Sequence, residues 1–423
     1  MKKAIQYLFL AFLIAFTAIR GVFPGWTKVH SDFANYYVAA KLVTEGTSLD
    51  TIYDNKWFQQ EINKHGIDTQ GKFAPFPPAT AWVMIPLTPF TPLTAQRIMV
   101  LVNLIFITFG ILLIKKITHL QFHQCAILIF GAGLGLANNI AFGQLYWIMT
   151  VFILLSIILI KKGYSIGGGM ILSVFIAIKY FPIVFIGGYF VNSIVSKNKS
   201  NARIQSGLKA VLAAAFTGLA IVAAGLIFFK GEVIKQFISS VLIPHLDGVL
   251  VGQGSYTFHF QSWESLLRNL FVKHSEFNPS PWIDWPAGKT IFKILITVIV
   301  LGSMTMVLYS YRLARGDKRR SVYLALPALA ALVLLPASAT YHFILLIIPL
   351  VLILSENLLK RKFLIAILIT YFLIGVIPYG LFFELGKSIG LLFAYPRLWL
   401  ISVFYAIVLF GLMEKQNYVR HAV

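Results

Sequence analysis

LTAQRIMVLVNLIFITFGILLIKK (93–116) decides the fold. From Leu93 to Ile114 it carries a single charge, Arg97, and then stops on Lys115 and Lys116. A helix that crosses a hydrocarbon core needs about 20 mostly apolar residues, and this run supplies them. Comparable runs recur at roughly 4–22, 122–138, 144–160, 164–178, 181–195, 207–229, 290–311, 320–337, 342–359, 362–379 and 395–413 by the same criterion. The expectation is an all-α polytopic membrane protein with about 12 transmembrane helices, forming a single integral membrane domain over 1–423. The pair 164–178 and 181–195 is short and joined by KYFP (179–182).

Composition agrees. The 423 residues are 58% hydrophobic and only 12% charged, against about 25% charged in a soluble domain. The net charge of +21 raises the question of nucleic acid. Its distribution answers no, because the basic residues cluster at the ends of apolar runs, as topology signals do, and no nucleic-acid-binding motif accompanies them. Membrane lipids are the expected surroundings. The one cysteine, Cys125, excludes an intramolecular disulfide. MKKAIQYLFLAFLIAF (1–16) lacks a small-x-small cleavage site and reads as a retained first span.

Charge also orients the chain. With the N-terminus cytoplasmic, the inner segments hold Lys2, Lys3, Lys115, Lys116, Lys161, Lys162, Lys197, Lys199, Arg203, Lys209, Arg312, Arg315, Lys318, Arg319, Arg320, Lys360, Arg361, Lys362, Lys415 and Arg420. Among the acids only Asp317, Glu356 and Glu414 fall there. The positive-inside rule therefore supports this orientation. The other acids face outward, mostly in two long outer loops, 23–92 and 230–289. Loops of that length are uncommon unless they are functional.

Within the first loop, SDFANYYVAAKL (31–42) reads as a helix. Asp32, Asn35, Tyr36, Ala39 and Ala40 share one face, and Ser31 is a plausible N-cap. Asp32 has two readings. It complements the positive end of its helix, or it is a carboxylate placed for chemistry at the membrane surface. Gln144 and Asn139 in the AFGQLYW (141–147) region, Lys179, and His342 after LLPASATY (334–341) all fall at the same outer boundary. Polar groups at that depth pair or serve a function; as single residues, each is equally explained by snorkelling or by capping a helix. Their convergence with Asp32 from separate parts of the chain is the informative point.

Other motifs carry less. GAGLGLANNI (131–140) and GYSIGGGM (163–170) lie at or inside spans without the context of a nucleotide loop, and they suit close helix packing. His119, His123 and Cys125 lack the further ligands and second shell of a metal site. No zinc-protease signature, serine elbow or intramembrane aspartate pair is present.

Several stretches resemble the family 87 glycosyltransferases, polyprenol-phosphate-mannose-dependent enzymes of the GT-C membrane superfamily. They are SDFANYYVAAKLVTEGTSLDTIYD (31–54), FPPATAWVMIPLTPF (76–90), GQLYWIMTVFILLS (143–156) and GGGMILSVFIAIKYFPIVFI (167–186). In order, they carry the Asp-Phe-x-x-Tyr helix, a Gly before an Ile-Tyr-Asp end, a Pro-Pro segment, a Gly-Gln helix start and a Lys-x-x-Pro break. The C-terminal half departs from the pattern. Where the family often has Ser-Pro and a His pair, this chain has Ala337-Ser338 and the single His342.

The resemblance implies a GT-C-type fold and an inverting transfer of a sugar, mannose by default, from a polyprenyl-phosphate-linked donor. The acceptor class it implies is a glycolipid, polysaccharide or protein. It makes Asp32 the general base of the first outer loop. Lys179 and His342 become the donor-phosphate ligands, with Gln144 near the donor and Arg268 and Arg397 in reserve. ESLLRNLF (264–271) would carry Arg268 along the membrane surface. Tyr36, Tyr37 and Trp263 are acceptor-site candidates. No metal or other cofactor is expected. The implied location is a bacterial inner (plasma) membrane, with the site on the periplasmic side. The competing readings are a polytopic transporter or lipid-linked-sugar flippase, and a non-catalytic subunit of an envelope assembly. A transporter would more often carry ionisable groups near mid-membrane and broken helices in two matching halves.

Overall fold

A computed structural model describes residues 2–195, 202–246, 248–249, 254–314, 316–387 and 389–421. Lys197, Lys199 and Arg315 of the charge argument lie outside the described residues. Among the described residues the regular secondary structure is helical, and the only β-type pairing is an isolated bridge between His274 and Asn278.

About twelve spans are expected, and fewer helices meet the length and apolarity that a crossing needs. Among the described residues, five helices are long and apolar enough to cross a membrane, or up to seven if each of two bent pairs is one span. The bends are 74° between Phe122–Phe130 and Leu134–Ala141, and 76° between Arg361–Val376 and Tyr379–Gly386. Tyr146–Lys161, Pro182–Val195 and Thr340–Ser355 are apolar but shorter. The 164–178 run is helical only over Ser165–Ser173. Its remainder unwinds into turns that lead to Lys179, and Pro182 restarts the helix. Proline disfavours helical geometry in the residue before it, so the break lies where the sequence sets it. Hydropathy counts apolar residues whether or not their backbone is one continuous helix.

Many large apolar side chains on the long helices point outward, among them Phe216, Leu219, Ile227, Val298 and Ile299. Surfaces of this kind suit lipid rather than water. The two ends of the bundle differ in chemistry. At one, Lys161 pairs with Asp317 and Glu356, each at 3.1 Å, and Lys360 and Lys362 pair with Glu414. These are the segments that the charge pattern assigned to one side. His123 Nε2 also donates to Gln6 Oε1 at 2.7 Å there, so its imidazole is part of helix packing.

Breaks inside an apolar bundle leave backbone groups that need partners. Buried amides supply them. The Gln96 side chain donates to Ala141 O at 2.7 Å and accepts from His30 N–H at 3.0 Å. Asn139 donates to Asn103 and accepts from Trp147 N–H, at 2.8 and 3.1 Å. Together they fix the chain entering Ser31–Thr44 against the break before Tyr146–Lys161.

The second outer segment is tied down separately. Glu264, at the start of Trp263–Phe271, is buried and receives Arg268 at 2.9 Å, Lys289 at 2.6 Å and Lys293 at 2.9 Å. Arg268 also donates to Gly248 O at 2.8 Å. Burial pushes the Glu264 carboxyl up, but the hydrogen bonds and charges of Lys289 and Lys293 outweigh it and hold it below the ordinary value.

Breaking a buried ion pair on one side costs on the order of 3–5 kcal/mol. Glu264→Gln should therefore lower the thermal unfolding midpoint in detergent. A carboxyl depressed in the folded state contributes stability above its unfolded value of 4.5, lost as pH falls through the lower folded value. Acidifying below that range should destabilise the parent more than Glu264→Gln. Parallel pH dependence of the two midpoints would refute the assignment.

Candidate functional site

The site begins with a break. His30 is extended, with φ −97° and ψ 154°, and precedes Ser31–Thr44 without a side-chain cap. Ser31, expected as the N-cap, is instead the first helical residue. The helix is buried from Phe33 to Ala40, so Asp32 in its first turn marks the edge of a packed element.

Gly143 turns the chain toward it. Its φ is +61°, and an added Cβ would meet the Phe33 ring at 2.8 Å. Glycine is the residue that takes this backbone geometry without strain. The turn delivers Gln144, which is fully buried. Gln144 Nε2 donates to Asp32 Oδ2 at 2.6 Å, and its Oε1 accepts from the Tyr36 hydroxyl at 2.7 Å. Tyr36 in turn accepts from Lys179 Nζ at 3.3 Å. A carboxylate and a buried ammonium are thus joined through one amide and one phenol.

Lys179 is enclosed by aromatic faces. Its nitrogen lies 4.5 Å from the Tyr146 ring centroid, 5.1 Å from Phe76 and 5.8 Å from Tyr36. Such faces favour a cation. His342 meets the same group of rings. Its Nδ1 accepts from Ala339 N–H at 2.9 Å, which leaves Nε2 protonated to donate to the Tyr146 hydroxyl at 2.6 Å. The Tyr146 hydroxyl hydrogen is thereby free to serve another acceptor. Tyr341 stacks on Tyr146 with ring centroids 5.2 Å apart, and its hydroxyl side faces Asp32.

Two cavities adjoin this chain of groups. One, of about 330 Å³, is mostly apolar, and Lys179, Tyr146, Tyr341 and His342 supply polar groups to its wall. The other, of about 870 Å³, is polar and is lined by Asp32, Asn35, Gln59, Gln70 and Lys72 among others. Phe76 lines both. The polar cleft is held open by amides. Asn35 Oδ1 accepts from Lys72 N–H, and Gln59 Oε1 accepts from Gly71 N–H, each at 2.8 Å. Burial lowers the Lys72 ammonium from its ordinary value, while Asp32 pulls it the other way.

The structure therefore brings together Asp32, Gln144, Tyr36, Lys179 and His342. The other sequence candidates lie elsewhere. The Tyr37 hydroxyl donates to Phe90 O at 2.7 Å, away from the cleft. Trp263 packs edge-on against Trp399. Arg268 belongs to the Glu264 cluster. Arg397 is fully buried and donates to Ile374 O, Thr340 Oγ1 and Ile377 O at 3.0, 2.7 and 2.9 Å, with its guanidinium over the Tyr379 ring. Thr340 opens the short helix that carries His342. Arg397 thus anchors that helix instead of facing either cavity. Tyr146, Tyr341, Phe76 and Lys72 carried no motif of their own. Only the flanking Gln144, His342 and Pro-Pro segment pointed near them. Among the described residues no three His, Cys, Asp or Glu side chains group as a metal site.

The family model described as glycosyltransferase family 87 matches residues 73–349, about two thirds of the chain. The matched range contains Phe76, Gln144, Lys179 and His342 and begins after Asp32. No curated protein matches the chain.

The two buried cations should respond differently to truncation. Arg397→Ala leaves buried carbonyls without donors, at about 1–3 kcal/mol for each unsatisfied group, and should lower the unfolding midpoint sharply. Lys179→Ala removes a desolvated charge with one protein hydrogen bond among the described residues and should leave the midpoint near that of the parent. Thermal unfolding of both variants in one detergent checks the ranking, and the reverse order would overturn it.

Proposed function

The chain belongs to glycosyltransferase family 87, and from that premise we propose that it transfers a sugar, mannose by default, from a polyprenyl-phosphate donor to an acceptor hydroxyl at the outer face of a membrane. Asp32 is the general base in this reading. The observation that carries it is the position of Asp32 on the wall of the polar cleft, joined through Gln144 and Tyr36 to a cation in the adjoining apolar cavity.

The chemistry follows from that division. The acceptor enters the polar cleft, whose amides and Lys72 suit a polyhydroxyl compound. Asp32 takes the proton of the attacking hydroxyl as the new glycosidic bond forms. The bond from the anomeric carbon to the phosphate oxygen breaks, and the electron pair leaves with the phosphate. Lys179 and the Tyr146 hydroxyl, polarised by His342, stabilise the negative charge that develops there. The isoprenoid chain lies along the apolar cavity. A single displacement inverts the anomeric centre, so a β-linked donor gives an α-product. One carboxylate suffices because phosphate leaves without protonation, whereas a glycosidase flanks the bond with two.

Gln144 has a positioning role. It fixes one carboxylate oxygen of a residue that lines the cleft. The acceptor is a glycolipid, polysaccharide or protein, and the membrane is a bacterial inner membrane with the site on its periplasmic side.

The test is sugar transfer by the purified chain from labelled polyprenyl-phosphate mannose, and from other sugars on the same carrier, to candidate acceptors. Asp32→Asn should lower kcat by roughly 10²–10⁴-fold with little change in donor affinity. Transfer at the parent rate would remove Asp32 from the base role. Lys179→Glu should raise the donor KM far more than the acceptor KM. Equal effects on both would remove it from the phosphate role.

A further inference from the structure

The apolar cavity has a wall that belongs to no motif. Lys230–Phe237, a π-turn at Ile238–Leu242 and Ile243–Leu246 follow one another in the second outer segment. Phe237, Val241, Leu242, His245 and Leu246 from this run all line the cavity. Phe237, Val241 and His245 recur at every fourth position. Widened π-turns are frequent at functional sites. Here the π-turn separates Phe237 from Ile243–Leu246 while residues on both sides of it face the same cavity. The run thus offers four apolar side chains and, near its end, one imidazole.

That imidazole is the anomaly. His245 Nδ1 is buried and has no hydrogen-bond partner among the described residues. The other cavity histidine, His342, uses both of its nitrogens on Ala339 N–H and Tyr146. Buried polar atoms are nearly always paired, so each exception needs an explanation. His245 and His342 are also electrostatic neighbours, and both line the wall to which Lys179 contributes its ammonium. A polar nitrogen without a partner, beside a cation and a histidine in an otherwise apolar cavity, suits a ligand with an anionic head and an apolar body.

We propose that His245 is a third ligand for the phosphate of the lipid-linked donor, giving it a hydrogen bond from Nδ1, and that the helix face bearing it is the wall along which the isoprenoid lies. The assignment rests on the lipid-phosphate reading of this cavity and extends it to the second outer segment. Burial lowers the imidazole's proton affinity from its ordinary value, so it acts as a neutral donor beside the charged lysine.

The test compares binding of a polyprenyl phosphate with that of the matching polyprenol to the full chain in detergent, without any sugar transfer. The parent should prefer the phosphate. His245→Ala should weaken phosphate binding about tenfold, the effect of one lost charge-assisted hydrogen bond, and leave polyprenol binding unchanged. His245→Asn, which keeps an N–H donor, should recover most of the loss. Unchanged phosphate affinity in His245→Ala, with the parent still discriminating, overturns the assignment and spares the cavity reading. Equal weakening of both lipids also overturns it, since the side chain would then be apolar wall alone. A parent that binds the two lipids equally overturns the lipid-phosphate reading itself, and the role of His245 falls with it.

Discussion

One side-chain amide holds the site together. Gln144 is fully buried and uses both ends, donating to Asp32 at 2.6 Å and accepting from Tyr36 at 2.7 Å. An amide is one of the few neutral groups that can join an acceptor-only carboxylate to a phenol donor. It sits there because Gly143 turns with positive φ over Phe33, and because Gln96 ties the end of the preceding helix to His30. The position of Asp32 therefore depends on contacts across two chain breaks. In a membrane protein such breaks are tolerated where surrounding groups satisfy the exposed backbone. The groups that do so here also place the functional side chains.

The same arrangement separates two environments within a few residues. Phe76 borders both cavities. On one side lie Asp32, Asn35, Gln59 and Lys72, which suit a hydroxylated substrate. On the other lie apolar walls with Lys179 and His342 at the boundary, which suit an amphiphile with an anionic head. An enzyme that joins a lipid-linked donor to a polar acceptor needs these two environments side by side, with a base between them.

Parts of this were legible in the sequence because they follow from local rules. The Lys-x-x-Pro break at 179–182, the Gly-Gln turn at 143–144 and the His342 segment each mark an end of an apolar run. Charge asymmetry assigned these ends to one side, where they form one connected network with Asp32. The continuity of the apolar helices was not legible. Hydropathy over 164–178 does not register that the helix stops at Ser173. Partners supplied by distant packing were invisible for the same reason. Gln96, Tyr146, Tyr341 and Lys72 sit in no pattern that distinguishes them from ordinary core or loop residues. His245 was visible only as part of a loop, since an orphan nitrogen is a property of three dimensions.

The cations show most clearly what sequence omits. Lys179, Arg268 and Arg397 read alike, as positive charges near the outer boundary. Counting hydrogen-bond donors separates them. The Arg397 guanidinium gives Nε and both terminal nitrogens to Ile374 O, Thr340 and Ile377 O, and its charge rests on Tyr379. Arg268 shares Glu264 with two lysines. Lys179 has three ammonium hydrogens and, among the described residues, one protein acceptor, the Tyr36 hydroxyl. Aromatic faces ease its burial without giving its hydrogens an oxygen to bond. A desolvated charge with donors left over is costly unless something pairs with it, and this one lines a cavity with an apolar interior. An anionic ligand arriving there would give the Lys179 ammonium the acceptors that the Tyr36 hydroxyl alone does not supply.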